Sequence, residues 1–399
     1  MAAKHSMPKS AVISAGKAAV RKPSRTNARI YEVAPSASVL LKKGMPDIWL
    51  LIITVLLAGI GVIMVFSASY YVTLSSDPFE YLKRQGLFAG LGLVIMLIAM
   101  NINFQKYRFM AKYLVYFTFL LLVVVFFLEE THGVHRWISF GEFNLQPSEV
   151  AKFTLTIYMA DRLSRRNVDP NDLIGVLGPL VFVMGIMMVL VYMGPDLGAT
   201  VTLACIGMSI LFAAGLSWLY ITGAGLTGGI LAVVFITSSE YQMRRIQGFL
   251  DPWSDPLNTG YQMINSLLAL GSGGFWGAGI GGSRQKLGFL PEQNTDFIFS
   301  ITGEELGFIG AGFIVILFLL MAWRGYLIAI HCPALYGSLL AVGITTGLVF
   351  QAAINLGVTT GALPVTGIAL PFISYGGSSL LMSMGSVGVL LNISRYQRG

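Results

Sequence analysis

Charge is scarce in this sequence. Lys, Arg, Asp and Glu make up 11% of its 399 residues, where a soluble domain carries about 25%. Forty-five ionic side chains are too few to solvate a soluble protein of this length. That excludes a soluble enzyme and a wholly disordered chain. Cysteine is nearly absent, and Cys205 and Cys332 alone exclude a disulfide scaffold. The amino terminus has no early apolar core, so no secretory signal is expected.

Apolar residues dominate instead, at 55% of the total. They fall into ten runs, at 48–68, 86–101, 113–128, 148–164, 173–192, 197–214, 217–237, 297–322, 335–356 and 374–393. Each approaches the ~20 residues that a spanning helix needs. The fourth is the weakest, since it holds Glu149, Lys152 and Asp161. The expected fold is all-α, a polytopic membrane protein with about ten helices over residues 48–395. An even number of spans puts both termini on one side, and the distribution of bases selects the cytoplasm. In that orientation 18 of the 26 Lys and Arg lie inside, while 14 of the 19 acids lie outside. The net charge of +7 therefore reports membrane topology and not a nucleic-acid partner.

Residues 1–47, rich in Lys, Arg, Ser, Ala and Pro, have the composition of a disordered cytoplasmic tail. Residues 396–399 form a short cytoplasmic end. Lys42 and Lys43 precede the first span, where they anchor topology or meet anionic lipid. A large extracellular loop, 238–296, joins the seventh and eighth spans. Its apolar stretch Met263–Leu270 is too short to span and reads as interfacial or re-entrant.

Asp296 sits where that loop meets the eighth span. Partial desolvation there raises a carboxylate pKa and suits a base; the plainer reading is a solvated carboxylate near a helix start. Glu304 and Glu305 lie deeper in the same span, as functional groups or as packing groups paired with a cation. Gly303 and Gly307 are spaced for close helix approach. Glu149 and Lys152 share one face of a helix that Pro147 opens, so Lys152 either pairs with Glu149 or holds a phosphate. Asp196, in Gly194-Pro-Asp-Leu-Gly198, is expected to cap the sixth span. His132-Gly-Val-His135 is a weak metal spacing, and the Gly271–Gly282 cluster lacks the marks of a nucleotide loop. Pro364-Val-Thr-Gly367 and Pro371-Phe-Ile-Ser374-Tyr-Gly-Gly-Ser378-Ser379 are uncharged and rich in Gly and Ser. Such backbone at membrane depth is tolerated only where it is buried or lines a cavity, which points to a substrate groove.

Gly288-Phe-Leu-Pro-Glu-Gln-Asn-Thr-Asp-Phe-Ile-Phe299, Gly303-Glu-Glu-Leu-Gly307, Gly194–Gly198 and Ile373–Ser379 together resemble the SEDS family (shape, elongation, division and sporulation) over roughly residues 45–395. The long basic tail is most similar to the division branch, with elongation and sporulation paralogues as alternatives. The resemblance implies an inverting peptidoglycan glycosyltransferase that polymerises lipid II at the septum of the bacterial cytoplasmic membrane. It implies Asp296 as the essential acid, and a class B penicillin-binding protein and other divisome proteins as partners. The family's common HTD triplet is here Asn294-Thr295-Asp296, which keeps the carboxylate and removes an imidazole. Lipid II already carries a good leaving group, a pyrophosphate. The protein then needs a base, Asp296, and cations, for which Arg136, Lys152, Arg244, Arg245 and Lys286 are candidates. A divalent cation, Mg or Mn, is a further option. Glu149, Glu305, Ser374 and Ser378 complete the candidate substrate contacts. Two other functions compete with the polymerase: a lipid II flippase, and a scaffold that only recruits the penicillin-binding protein.

Overall fold

The computed structural model describes residues 44–74, 77–128, 135–141 and 143–396. Lys42, Lys43 and the rest of the tail up to residue 43 lie outside the described residues, as do His132 and residues 397–399. Twelve helices and one hairpin follow in order: α1 (Ile48–Ser69), α2 (Glu80–Asn101), α3 (Gln105–Val124), β1 (Ile138–Phe140), β2 (Phe143–Leu145), α4 (Pro147–Leu163), α5 (Gly178–Met193), α6 (Leu197–Ala213), α7 (Trp218–Ser238), α8 (Glu240–Leu250), α9 (Tyr261–Gly273), α10 (Ile298–His331), α11 (Leu335–Thr359) and α12 (Gly377–Ser394).

The chain is a nearly all-helical polytopic membrane protein. Among the described residues, eight helices are long and apolar enough to cross a membrane: α1, α2, α3, α5, α7, α10, α11 and α12. The fourth and sixth apolar runs became the 17-residue helices α4 and α6. At 1.5 Å per residue each rises ~26 Å, short of the ~30 Å of bilayer hydrocarbon. Both pack among other helices, α4 against α3, α6, α11 and α12, and α6 against α4, α5 and α11. That setting explains how α4 keeps Glu149, Lys152 and Asp161 buried.

Helix α11 is the hub, in contact with α4, α6, α10 and α12. Small residues let the backbones close, as expected where lipid gives no hydrophobic drive between helices. A Cβ on Gly343 of α11 would stand 2.5 Å from Thr156 of α4, and one on Gly388 of α12 would stand 2.5 Å from the Met96 carbonyl of α2. At the end of the bundle that carries the termini, Asp47 caps α1 through the Leu50 amide (2.9 Å) and binds Arg324. Buried Asp161 there pairs with Arg108 at 2.6 Å and Arg165 at 2.7 Å.

The long loop after α7 is itself folded. Helix α9 packs on α10 and α11 with Met263, Ile264 and Ala269 buried, so its apolar stretch faces protein. Helix α10 breaks at Gly307, where φ is +68°. Loop amides replace the lost helical bonds: Ala278 N donates to Glu304 O and Gly279 N to Glu305 O, each at 2.9 Å, and Phe308 N donates to Gly274 O at 2.9 Å. Gly307 therefore marks a kink, while Gly303 alone supports close approach, against Leu270. The Gly271–Gly282 cluster serves this backbone contact: a Cβ on Gly277 would stand 2.2 Å from Glu305 O.

Candidate active site

Four helices, α4, α6, α10 and α12, begin around one cavity of about 360 Å³. The hairpin β1–β2 delivers Arg136, Trp137 and Asn144 to it, and α8 delivers Arg245. Phe88, Gln146, Asp196, Glu292, Asp296, Gly367 and Tyr375 also line it, with the start of α12 from Gly376 to Ser379. This is the one place among the described residues where the loop motifs of the sequence converge on a large cavity.

Backbone bonds fix Asp296. Asn355 Nδ2 of α11 donates to its carbonyl at 2.7 Å and to Ile368 O at 2.7 Å. Ser374 Oγ donates to Thr295 O at 2.6 Å, and Tyr375 N donates to Asn294 O at 2.8 Å. The loop ahead of α10 is thus clamped to the loop ahead of α12. The Asp296 carboxyl is half-buried and keeps a face toward the cavity. Burial pushes it up to about 7, and the charge of Glu292 adds to that; Arg136 and Arg245 pull it down, and Asp196 adds a smaller upward push. Gly367 sits between base and cation with φ +76°: a Cβ there would lie 3.4 Å from an Arg136 guanidinium nitrogen and 3.6 Å from Asp296 Oδ2. Any larger residue would adopt a strained backbone and fill that gap.

The two arginines are held from outside the cavity. Arg136 Nε donates to Gly194 O at 2.8 Å, and Arg245 Nη1 donates to Val365 O at 2.9 Å. Lys152 lines the inner wall, buried, and pairs with Glu149 at 2.8 Å while donating to Gln351. The pairing reading of the sequence is therefore what the geometry shows, at a position that still touches the cavity. Asp196 caps α6 through the Ala199 amide at 3.0 Å. Its other oxygen accepts Gln146 Nε2 at 3.0 Å and Ser148 Oγ at 3.2 Å, tying the starts of α4 and α6 together.

Of the residues singled out from sequence, Asp296, Arg136, Arg245, Lys152, Glu149 and Ser378 meet in this cavity. Four lie elsewhere. Lys286 and Glu305 are each 1% exposed and pair with each other at 2.7 Å, with Ser67 Oγ bonded to the same carboxylate at 2.7 Å. A cation already neutralised in the protein interior has no charge to offer a phosphate, so neither is a substrate contact. Arg244 points away on α8, exposed and 3.5 Å from Glu240. Ser374 is buried against Thr295 and positions the loop rather than the ligand. Glu304 is likewise structural, accepting from Ser283 Oγ and from the Arg284 amide at 2.9 Å.

Sequence reasoning passed over Glu292, Gln146 and Tyr375, and read Asp196 only as a cap. The signals were faint: Glu292 lies in the same motif as Asp296, and Asp196 in Gly194–Gly198. Among the described residues no three His, Cys, Asp or Glu side chains are grouped to hold a metal ion. A divalent cation thus has no dedicated protein cage here.

The FtsW/RodA/SpoVE family, described as cell cycle proteins, matches residues 48–399. The chain is 43% identical over 362 residues to stage V sporulation protein E of Bacillus subtilis, covering 90% of this chain and 99% of that one. It is 44% identical over 360 residues to a probable peptidoglycan glycosyltransferase FtsW of Geobacter sp. strain M18, covering 88% and 98%. The rod shape determining protein RodA of Thermus thermophilus has a similar structure, with TM-score 0.66, 26% identity and coverage of 89% and 98%. So does a chain from a peptidoglycan synthase complex solved for its coordination of polymerization and crosslinking, with TM-score 0.71, 29% identity and coverage of 88% and 99%.

Proposed function

We propose that this chain, which belongs to the FtsW/RodA/SpoVE family of cell cycle proteins, is a peptidoglycan glycosyltransferase of cell-wall synthesis that polymerises lipid II. The observation that carries this reading is the half-buried Asp296, pushed up to about 7 beside Arg136 and Arg245. In the reaction a sugar hydroxyl of one lipid II attacks the anomeric carbon of another. The new glycosidic C–O bond forms as the C–O bond to the pyrophosphate breaks. The bonding pair leaves with the polyprenyl pyrophosphate, and the hydroxyl proton passes to Asp296. A single displacement of this kind inverts the anomeric centre.

A base with a pKa near the working pH is well matched to that proton transfer, which is typically worth 10²–10⁴-fold. Arg136 and Arg245 face the charge that develops on the leaving pyrophosphate, and preorganised charge of this kind is often the larger contribution. The polyprenyl tail stays in lipid, which a membrane fold allows and a soluble fold would not.

Glycan formation by the purified protein from lipid II in detergent tests the proposal. Detergent offers no bilayer to cross, so a flippase or a scaffold gives no product. Past Lys152 the cavity continues only as a crevice of about 30 Å³, roomy enough for a water and not for a disaccharide. The finer reading is septal synthesis with a class B penicillin-binding protein and divisome proteins as partners. FtsW and sporulation relatives are nearly equally similar to the chain. A fluorescent fusion therefore decides between the branches: midcell signal in growing cells supports division, and signal confined to sporulating cells refutes it.

A further inference from the structure

The side chains around the cavity do not by themselves make a home for a diphosphate. Arg136, Arg245 and Lys152 are set against Asp296, Glu292, Asp196 and Glu149, so formal charge is at best balanced. The remaining source of positive potential is backbone. Helix α6 is capped by Asp196, α4 carries Glu149 in its first turn, and Asp296 immediately precedes α10. Helix α12 begins with no side-chain cap and no acid in its first turn. The first helical bond at this end runs from Leu380 N to Gly376 O at 3.0 Å. The amides of Gly377, Ser378 and Ser379 therefore precede any helical acceptor, as at every helix start. All three residues line the cavity.

An independent observation points to a missing ligand at the same place. Ser379 is 9% exposed, lines the cavity, and has no hydrogen-bond partner for its hydroxyl among the described residues. Its neighbour Ser378 is satisfied, accepting from Gln146 N at 3.3 Å. A buried hydroxyl left without a partner is costly, and a ligand oxygen would supply one. Gly377 keeps the approach bare, since a Cβ there would press on the Phe88 ring at 2.8 Å.

We infer that the start of α12, through the amides of Gly377, Ser378 and Ser379 and the Ser379 hydroxyl, binds a phosphate of a diphosphate group. Uncapped helix starts bind phosphate through donated N–H bonds and the helix dipole together. The inference rests on the reading of a diphosphate-bearing substrate and deepens it by placing that group. It puts the leaving phosphates at α12 and leaves Asp296, on the opposite loop, free for the attacking hydroxyl.

The test is binding of two probes, inorganic pyrophosphate and farnesyl diphosphate, to the full-length protein in detergent by titration calorimetry. Ser379→Asp places a carboxylate on the α12 start, where the helix dipole favours it, so folding should hold. Both probes should then bind about 10-fold more weakly or worse, the scale of one lost charged hydrogen bond. Ser379→Ala, which removes only the hydroxyl, should weaken binding by a smaller factor, with a melting temperature like that of wild type. Tighter binding of farnesyl diphosphate than of pyrophosphate would assign the site to a lipid headgroup, and equal binding to a free phosphate product. Undiminished binding by a folded Ser379→Asp protein overturns the inference, as does failure of the wild type to bind either probe. Wild-type polymerisation of lipid II, measured alongside, separates these results from a failure of the glycosyltransferase reading itself.

Discussion

Asp296→Asn separates the catalytic use of this carboxyl from its structural cost. In the unfolded chain the acid ionises near 3.8; in the folded protein it holds its proton up to about 7. Between those values the folded state binds more protons than the unfolded one. Wild-type stability therefore falls as pH rises from about 4 to about 7 and stays lower above that. Three pKa units correspond to at most ~4 kcal/mol. The carboxyl keeps a face on the water of the cavity, which screens the penalty to ~1–2 kcal/mol. Asparagine has no proton to lose and nearly the same shape. The variant should match wild type near pH 4 and melt about 2–6 °C higher above pH 7. Its polymerisation rate should drop by ~10²–10⁴-fold if Asp296 acts only as a base. The wild-type rate should rise with pH through about 7, as the base loses its proton. The assays are glycan-chain formation from purified lipid II and a detergent melt across pH. Near-wild-type polymerisation by the variant would refute the base assignment. A variant that melts lower than wild type at every pH would refute the claim that the charge is held at a cost.

Lys286→Ala should destabilise the protein by ~3–5 kcal/mol by stranding Glu305 in the interior, and Lys286→Met with Glu305→Leu should recover much of that in a thermal melt. Gly367→Ala should cut polymerisation more than stability, because its methyl group enters the gap between Arg136 and Asp296; equal activity would show that the gap is not used. A reporter fused after Gly399 should behave as cytoplasmic and one inserted near Gln285 as extracellular, and the reverse pattern would move the cavity to the wrong side for an external substrate. A class B penicillin-binding protein should co-purify in mild detergent, whereas full activity with no complex would argue against control by a partner.

The sequence by itself determined the membrane class, the helical fold and the loops that carry the chemistry. Apolar runs of spanning length and sparse charge are properties of the chain's solvent, and they can be counted without knowing any contact. Asp296, Arg136 and Arg245 were legible for a related reason: ionisable groups beside apolar helices are expensive, so their placement carries information. Tertiary structure decided which of those groups share a cavity. Lys286 and Arg245 look alike in sequence, as cations of one extracellular loop. Yet the kink at Gly307 and the turn after α9 bury Lys286 against Glu305, while α8 carries Arg245 to the cavity rim. Arg244, one residue away, faces outward because neighbours on a helix point about 100° apart. The two short helices were also undecidable from composition. A 17-residue apolar helix can stop short of the bilayer only when other helices surround it, and that is a fact about packing. Ser379 shows the limit most plainly: a serine at a helix start is ordinary until the fold buries it at a cavity wall and leaves its hydroxyl without a partner.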